Sequence, residues 1–209
     1  MELRGWQAPD RGALFVVTGA SGTGKTTLVK AALEAIPELE FSVSATTRSM
    51  REGEIDGVDY HFVGIERFAA LVEGGRFLEH ATVYGNRYGT PRRPVERVLD
   101  RGGSVLLEID MAGARQVREA MPDAVSVFVC PPSLEVIEQR LRGRGTDSDA
   151  VIERRLADAR IQLSACGEFD YLVVNDHLES AHRVFQGVLL AELSRRARRA
   201  SLVDQMTSQ

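Results

Sequence analysis

Residues 14–26 read Leu-Phe-Val-Val-Thr-Gly-Ala-Ser-Gly-Thr-Gly-Lys-Thr, and no other stretch of the chain restricts the fold as much. A run of apolar and β-branched residues leads straight into a glycine-rich octet, Gly19–Thr26, which fits G-x-x-x-x-G-K-[ST] in full. A helical period follows. A strand, a glycine loop and a helix in that order form a cradle for the phosphates of a nucleoside triphosphate. The glycines let successive N–H groups turn toward one anion. The start of the helix adds partial positive charge. Lysine supplies a point charge for the outer phosphates, and the Thr26 hydroxyl suits a phosphate-bound Mg²⁺. On this reading Gly19, Ala20, Ser21, Gly22, Thr23, Gly24, Lys25, Thr26 and Thr27 hold the phosphates of a nucleoside triphosphate. Lys25 stands out for a second reason: of 26 basic residues only Lys25 and Lys30 are lysines.

The rest of the chain alternates. Leu14–Thr18, Phe41–Ser44, Val105–Ile109, Val125–Cys130 and Tyr171–Asn175 read as strands. Most are nearly unbroken apolar runs, the mark of a parallel sheet covered on both faces. Helical periods fall at Thr26–Ile36, Pro94–Asp100, Ala112–Ala120, Leu134–Leu141, Ala150–Ser164 and Ser180–Arg199. This predicts a doubly wound α/β fold. With 209 residues, 44% hydrophobic and 27% charged, one compact domain with small insertions is expected, not a disordered, collagenous or coiled-coil chain. No stretch reaches the roughly 18 consecutive apolar residues of a membrane span, and residues 1–12 lack a signal-peptide core. Cys130 and Cys166 have no metal-ligand spacing, so neither a disulfide framework nor a zinc site is expected. A soluble cytoplasmic protein with no membrane partner follows. A net charge of −4 argues against wholesale nucleic-acid binding, and the run Arg195, Arg196, Arg198 and Arg199 reads as a solvated helix end. Homo-oligomerisation is left open.

Two regions break the alternation. Residues 45–90 are polar, aromatic and punctuated by glycine, with strand-like pieces at Asp59–Val63 and Phe77–Tyr84. Residues 140–155 form an arginine-dense loop between two helices, and the spacing of Thr146 and Asp149 predicts that the second helix starts just after Thr146.

The segment SVSATTRSMREGEIDGVDYHFV, with FLEHATVYGNRYGTP, LLEID, PPS, RGRGT and VVN after it, closely resembles the ordered motifs of bacterial-type guanylate kinases over roughly residues 12–190. The resemblance implies a P-loop NTPase fold: three α/β/α layers on a five-stranded parallel sheet, an inserted nucleoside-monophosphate-binding subdomain and a lid. The implied core is 12–44, 91–139 and 156–200, with a GMP-binding subdomain at 45–90 and a lid at 140–155. Residues 1–11 and 201–209 then flank it as an extension and a tail. It also implies the partners ATP and GMP, with 2′-deoxy-GMP alongside, and the cofactor Mg²⁺. Arg48, Arg51, Tyr60 and Tyr88 match a clamp for the acceptor phosphate, where planar guanidinium forks suit a bidentate grip. Glu54 belongs to the same signature. Glu79 matches the glutamate that reads guanine, whose ring N–H and exocyclic amine one carboxylate can accept together. Ser44 and Thr90 match hydroxyl positions near the base.

Glu108 and Asp110 end a buried strand, and their spacing puts both on one face. The resemblance gives Glu108, where aspartate is usual, to the guanine amine and Asp110 to the metal, through water. Ala112 stands where the family often has glutamine. Arg140, Arg144 and Arg155 match lid arginines, with Arg142 and Arg154 facing solvent. Asn175 matches a position bordering the adenine. With Lys25 and Arg48, the three lid arginines form the expected catalytic set. Two other readings stay open at this point: a kinase of another phosphate acceptor, such as a ribose bisphosphate, and a non-catalytic module that binds phosphopeptides.

Overall fold

The computed structural model describes residues 9–36, 38–143 and 148–208. Its centre is a five-stranded parallel sheet built from β1 (Leu14–Thr18), β2 (Leu39–Phe41), β7 (Ser104–Glu108), β8 (Val125–Cys130) and β9 (Tyr171–Val174), in the order β2-β7-β1-β8-β9. Every residue of β1 and β8 is buried, which explains sequences that are apolar but for Thr18 and Ser126. Phe15, Val17, Val127, Val129 and Val173 face α1 (Lys25–Ala35) and α7 (Leu178–Leu193). Val16, Leu107 and Phe128 face the other way, toward α3 (Arg92–Asp100) and α4 (Met111–Ala120). The result is three layers with the glycine loop at the carboxyl ends of the strands.

A second, four-stranded sheet has the order β4-β3-β6-β5. It consists of β3 (Ala45–Thr46), β4 (His61–Phe62), β5 (Phe77–Val83) and β6 (Asn86–Pro91), with α2 (Ile65–Glu73) packed on it through Phe68, Leu71 and Val72. β5 and β6 are an antiparallel hairpin, irregular in register between Phe77 and Glu79. The chain then returns to the core through α3, which begins at Arg92, two residues before the expected Pro94. Proline is tolerated in a first turn, where its missing N–H costs nothing.

Other expectations are corrected. The strand expected at Phe41–Ser44 is Leu39–Phe41, because Val43 and Ser44 already cross from one sheet to the other. The 140–155 stretch is mostly helical: α5 (Leu134–Gly143) and α6 (Asp149–Ser164) pack on each other around Ile137, Leu141, Ile152 and Ala159. Thr146 lies outside the described residues; the N-cap of α6 is Ser148. The helix expected to reach Arg199 stops at Leu193, and Arg196–Arg198 form a 3₁₀ turn before α8 (Ala200–Thr207). Arg198 is not a solvated helix end. It is half-buried, its guanidinium donates to the Gly12 carbonyl, and its own carbonyl accepts from the Asp10 N–H at 2.8 Å.

Candidate active site

The glycine loop is held from behind. The Asn175 side chain, 4% exposed, donates to the Thr23 carbonyl at 2.7 Å. Thr23 in turn donates its hydroxyl to the Ala20 carbonyl at 2.8 Å. Gly24 sits at φ 86°, and a Cβ there would collide with the Asn175 amide. Ala20 is fully buried in the apolar cluster beneath α5 and α6, so the loop and those two helices share a core. Lys25 Nζ donates to the carbonyls of Gly19 and Ala20 at 2.6 and 3.1 Å. Thr26 donates to Glu108 Oε1 at 2.8 Å. The carbonyl of Thr27 lies 3.4 Å from the His182 ring. Asn175 therefore backs the loop, and its carbonyl accepts from Arg140 at 3.0 Å.

At the far side of the same opening lies Glu79, only 3% exposed. The register irregularity in β5 falls beside it, a device that re-aims a side chain. Its Oε1 accepts from the Thr90 N–H at 2.9 Å and the Thr90 hydroxyl at 2.6 Å. Its other oxygen lies so close to Gly113 that no Cβ would fit there. Burial pushes the Glu79 carboxyl up to about 7, the neighbouring Asp110 adds to the rise, and the Thr90 bonds oppose it.

Arg48 lies against Tyr60, which lines the same opening. Both oxygens of Glu54 accept from its guanidinium, at 3.0 and 2.7 Å. Its charge lies 5.4 Å from the centre of the Tyr60 ring and 5.7 Å from that of Phe62. Tyr60 and Tyr88 meet edge-on at 5.9 Å. Glu54 also accepts from the Arg51 N–H at 2.7 Å, and the Arg48 hydrogen bonds hold its carboxyl below the usual range. It is thus a brace for both arginines; the Arg51 side chain itself is exposed.

One cleft of about 360 Å³ joins the two ends. Of the expected site residues, Gly19, Ser21, Lys25, Ser44, Tyr60, Glu79, Tyr88, Glu108 and Asp110 line it. Sequence reasoning missed Ala81, Val83, Tyr84 and Gln162, which line it too. Alternation along β5 from Glu79 could have found Ala81 and Val83; nothing local marks Gln162, which arrives on α6.

A family model described as Guanylate kinase matches residues 11–192. The chain belongs to the guanylate kinase family. A guanylate kinase of Paramagnetospirillum magneticum is 49% identical over 198 residues, 94% of this chain and 92% of the relative. One of Prochlorococcus marinus is 55% identical over 170 residues, 81% of this chain and 90% of the relative. The crystal structure of guanylate kinase from Anaplasma phagocytophilum superposes with a TM-score of 0.79 at 34% identity, covering 97% of each chain.

Glu108 and Asp110, the acids expected at the guanine and at the metal, turn to different neighbours. Glu108 reaches Thr26, while Asp110 caps α4 by accepting from the Gly113 N–H at 2.8 Å, on the same side of Gly113 as the Glu79 carboxyl. The strand ends at Glu108, so the alternation that would align the two acids no longer applies. Gln116, one turn beyond Ala112, supplies an amide of its own. It donates to the His80 carbonyl at 2.8 Å and accepts from the His80 N–H at 3.1 Å.

The expected lid arginines separate. Arg140 and Arg155 are on α5 and α6, and Arg144 lies outside the described residues. Arg142 is exposed and paired with Glu138 and Asp149 at 2.9 and 2.5 Å. Arg154 is exposed, as expected, and lies over the half-exposed Tyr84 ring at 4.9 Å.

Proposed function

We propose that this chain transfers the γ-phosphoryl group of ATP to GMP, giving ADP and GDP. The observation that carries the reading is the single cleft lined by Lys25 at one end and by Glu79, beside Thr90, at the other. A buried carboxylate that must receive two donors favours guanine over adenine, and a site built this way discriminates by about 10⁴-fold. Asp110, facing Glu79, is assigned with it to the guanine edge, and Ser44 and Thr90 complete that pocket. Arg48, Arg51, Tyr60 and Tyr88 grip the acceptor phosphate, with Glu54 bracing the arginines.

In the reaction an oxygen of the GMP phosphate forms a bond to the γ-phosphorus, and the bond from that phosphorus to the ADP oxygen breaks. The acceptor is already ionised at neutral pH, so no general base is needed. Catalysis is in-line positioning and neutralisation of charge. Lys25, Arg140, Arg144 and Arg155 supply the cations, and Asn175 and the loop backbone hold the donor in place. The oxygen pair of Thr26 and Glu108 suits a hard divalent cation that keeps most of its water and phosphate ligands, and these two residues would hold Mg²⁺. When bound, Mg²⁺ screens the negative charge of the donor phosphates. Residues 45–90 as the GMP-binding subdomain, 140–155 as the lid and a cytoplasmic location belong to the same reading. Among the described residues no helix is long and apolar enough to cross a membrane.

The test is a panel of GMP, 2′-deoxy-GMP, AMP and a ribose bisphosphate with ATP and Mg²⁺, following the phosphorylated product of each. GMP should be converted far faster than AMP or the sugar. Equal conversion of AMP would sink the guanine assignment, and preference for the sugar would replace the acceptor.

A further inference from the structure

The turn that joins β5 to β6 has two residues, Tyr84 and Gly85, between the paired Val83 and Asn86. Their φ angles are 49° and 83°, so both central residues are left-handed, the condition of a type I′ turn. Asn, Asp or Gly fill the first position at little cost. A tyrosine there is strained, and it is the only non-glycine residue with positive φ among the described residues. Strain of this kind persists where the side chain is used.

The ring is used on α6. Its centre lies 4.9 Å from the Arg154 charge and 5.7 Å from that of Arg155, and its hydroxyl donates to Asp158 at 3.4 Å. Tyr84 also lines the cleft, as does Gln162 one turn beyond Asp158 on the same helix. The tip of the acceptor hairpin therefore reaches the helix that carries a lid arginine. We propose that Tyr84 is a positioning residue for Arg155: its ring, which lines the cleft, holds the neighbouring guanidinium and ties the position of α6 to that of the acceptor hairpin. The hairpin that carries Glu79 and Thr90 thereby brings an arginine to the phosphates along with the acceptor. This rests on the assignment of Arg155 to the phosphates made above.

Tyr84→Asn provides a clean test, because asparagine suits the turn and removes the ring. The variant should melt no lower than the parent, yet its kcat should fall about three- to fivefold, the factor expected for a partly exposed cation–π contact. The KM for GMP should move less than kcat. Tyr84→Phe, which keeps the ring, should restore turnover to within about twofold of the parent. In an Arg155→Ala background Tyr84→Asn should have almost no further effect, since its target is gone. Full turnover by Tyr84→Asn would overturn the proposal, as would the same loss with and without Arg155. If Arg155→Ala alone turns over at the parent rate, the assignment of Arg155 to the phosphates fails, and the positioning role goes with it.

Discussion

The two sheets of this molecule hold their halves of the cleft by different means. The parallel sheet is an apolar core, with β1 and β8 buried along their whole length, and it presents a loop whose working groups are mostly backbone. The four-stranded sheet has a small apolar cluster around Ala45, Phe68 and Phe77 and depends on polar pairs: Glu79 with Thr90, and Arg48 with Glu54. On the proposed assignment, donor recognition needs correct backbone angles, whereas acceptor recognition needs side chains buried at a cost. Two carboxylates in the second half show that cost in opposite senses. Burial drives Glu79 up to about 7, while the Arg48 pairing holds Glu54 low.

The largest effect should come from the donor half. Lys25→Ala removes the cation nearest the glycine-loop carbonyls. Loss of one charge-stabilising group of this kind lowers kcat by about 10²–10³-fold. GMP binding, measured by calorimetry, should be little changed. A parallel loss of GMP affinity would show that the two halves are not separable.

Next is the acceptor half. Arg48→Ala should raise the KM for GMP by about 10- to 100-fold, the worth of hydrogen bonds to a charged group, with the KM for ATP nearly unchanged. Equal damage to both substrates would contradict the clamp and point to collapse of the braced pair with Glu54.

Glu79→Gln separates recognition from stability. The folded carboxyl titrates near 7 against an unfolded value near 4.5, so the folded state binds the extra proton between those limits. The stabilisation this confers is complete below about pH 4.5 and is lost as pH rises through about 7. The glutamine variant carries no such titration. Its melting temperature should exceed the parent's at pH 8 by the equivalent of roughly 2–3 kcal/mol and match it more closely near pH 5, while its use of GMP is impaired at both. A parent whose stability does not decline across that window would show that Glu79 ionises as freely as a surface acid.

The same contrast decides what was legible in the sequence. β1 and β8 are found to the residue because each is a mostly apolar, β-branched run closed by a breaker, Gly19 after β1 and Pro131 after β8. β4 lies inside the strand-like piece expected at Asp59–Val63, whereas β3 is two residues, too short for any period, and exists because β4 and β6 pair with it. Glu79 could be located by its register with Tyr88 and Thr90. The divergence of Glu108 and Asp110 could not, because it depends on where β7 stops and α4 begins. Tyr84 and Gln162 carry no local signal at all; they enter the cleft only because α6 folds against the hairpin tip.

The smallest effect should come from the junction between the halves. β5 is an edge strand of the second sheet, and Gln116 on α4 pairs with the His80 backbone as a neighbouring strand would. α4 also carries Gly113, against which Glu79 packs, and is capped by Asp110. Gln116→Ala removes both bonds to the His80 backbone and touches no residue that lines the cleft. Urea unfolding should show a loss of about 1 kcal/mol. If the junction sets the distance between Glu79 and Asp110, the KM for GMP should rise about two- to threefold while the KM for ATP stays level. A stability loss with no change in either constant would mean that the guanine edge is fixed within the hairpin alone, by Thr90, and that α4 only covers it.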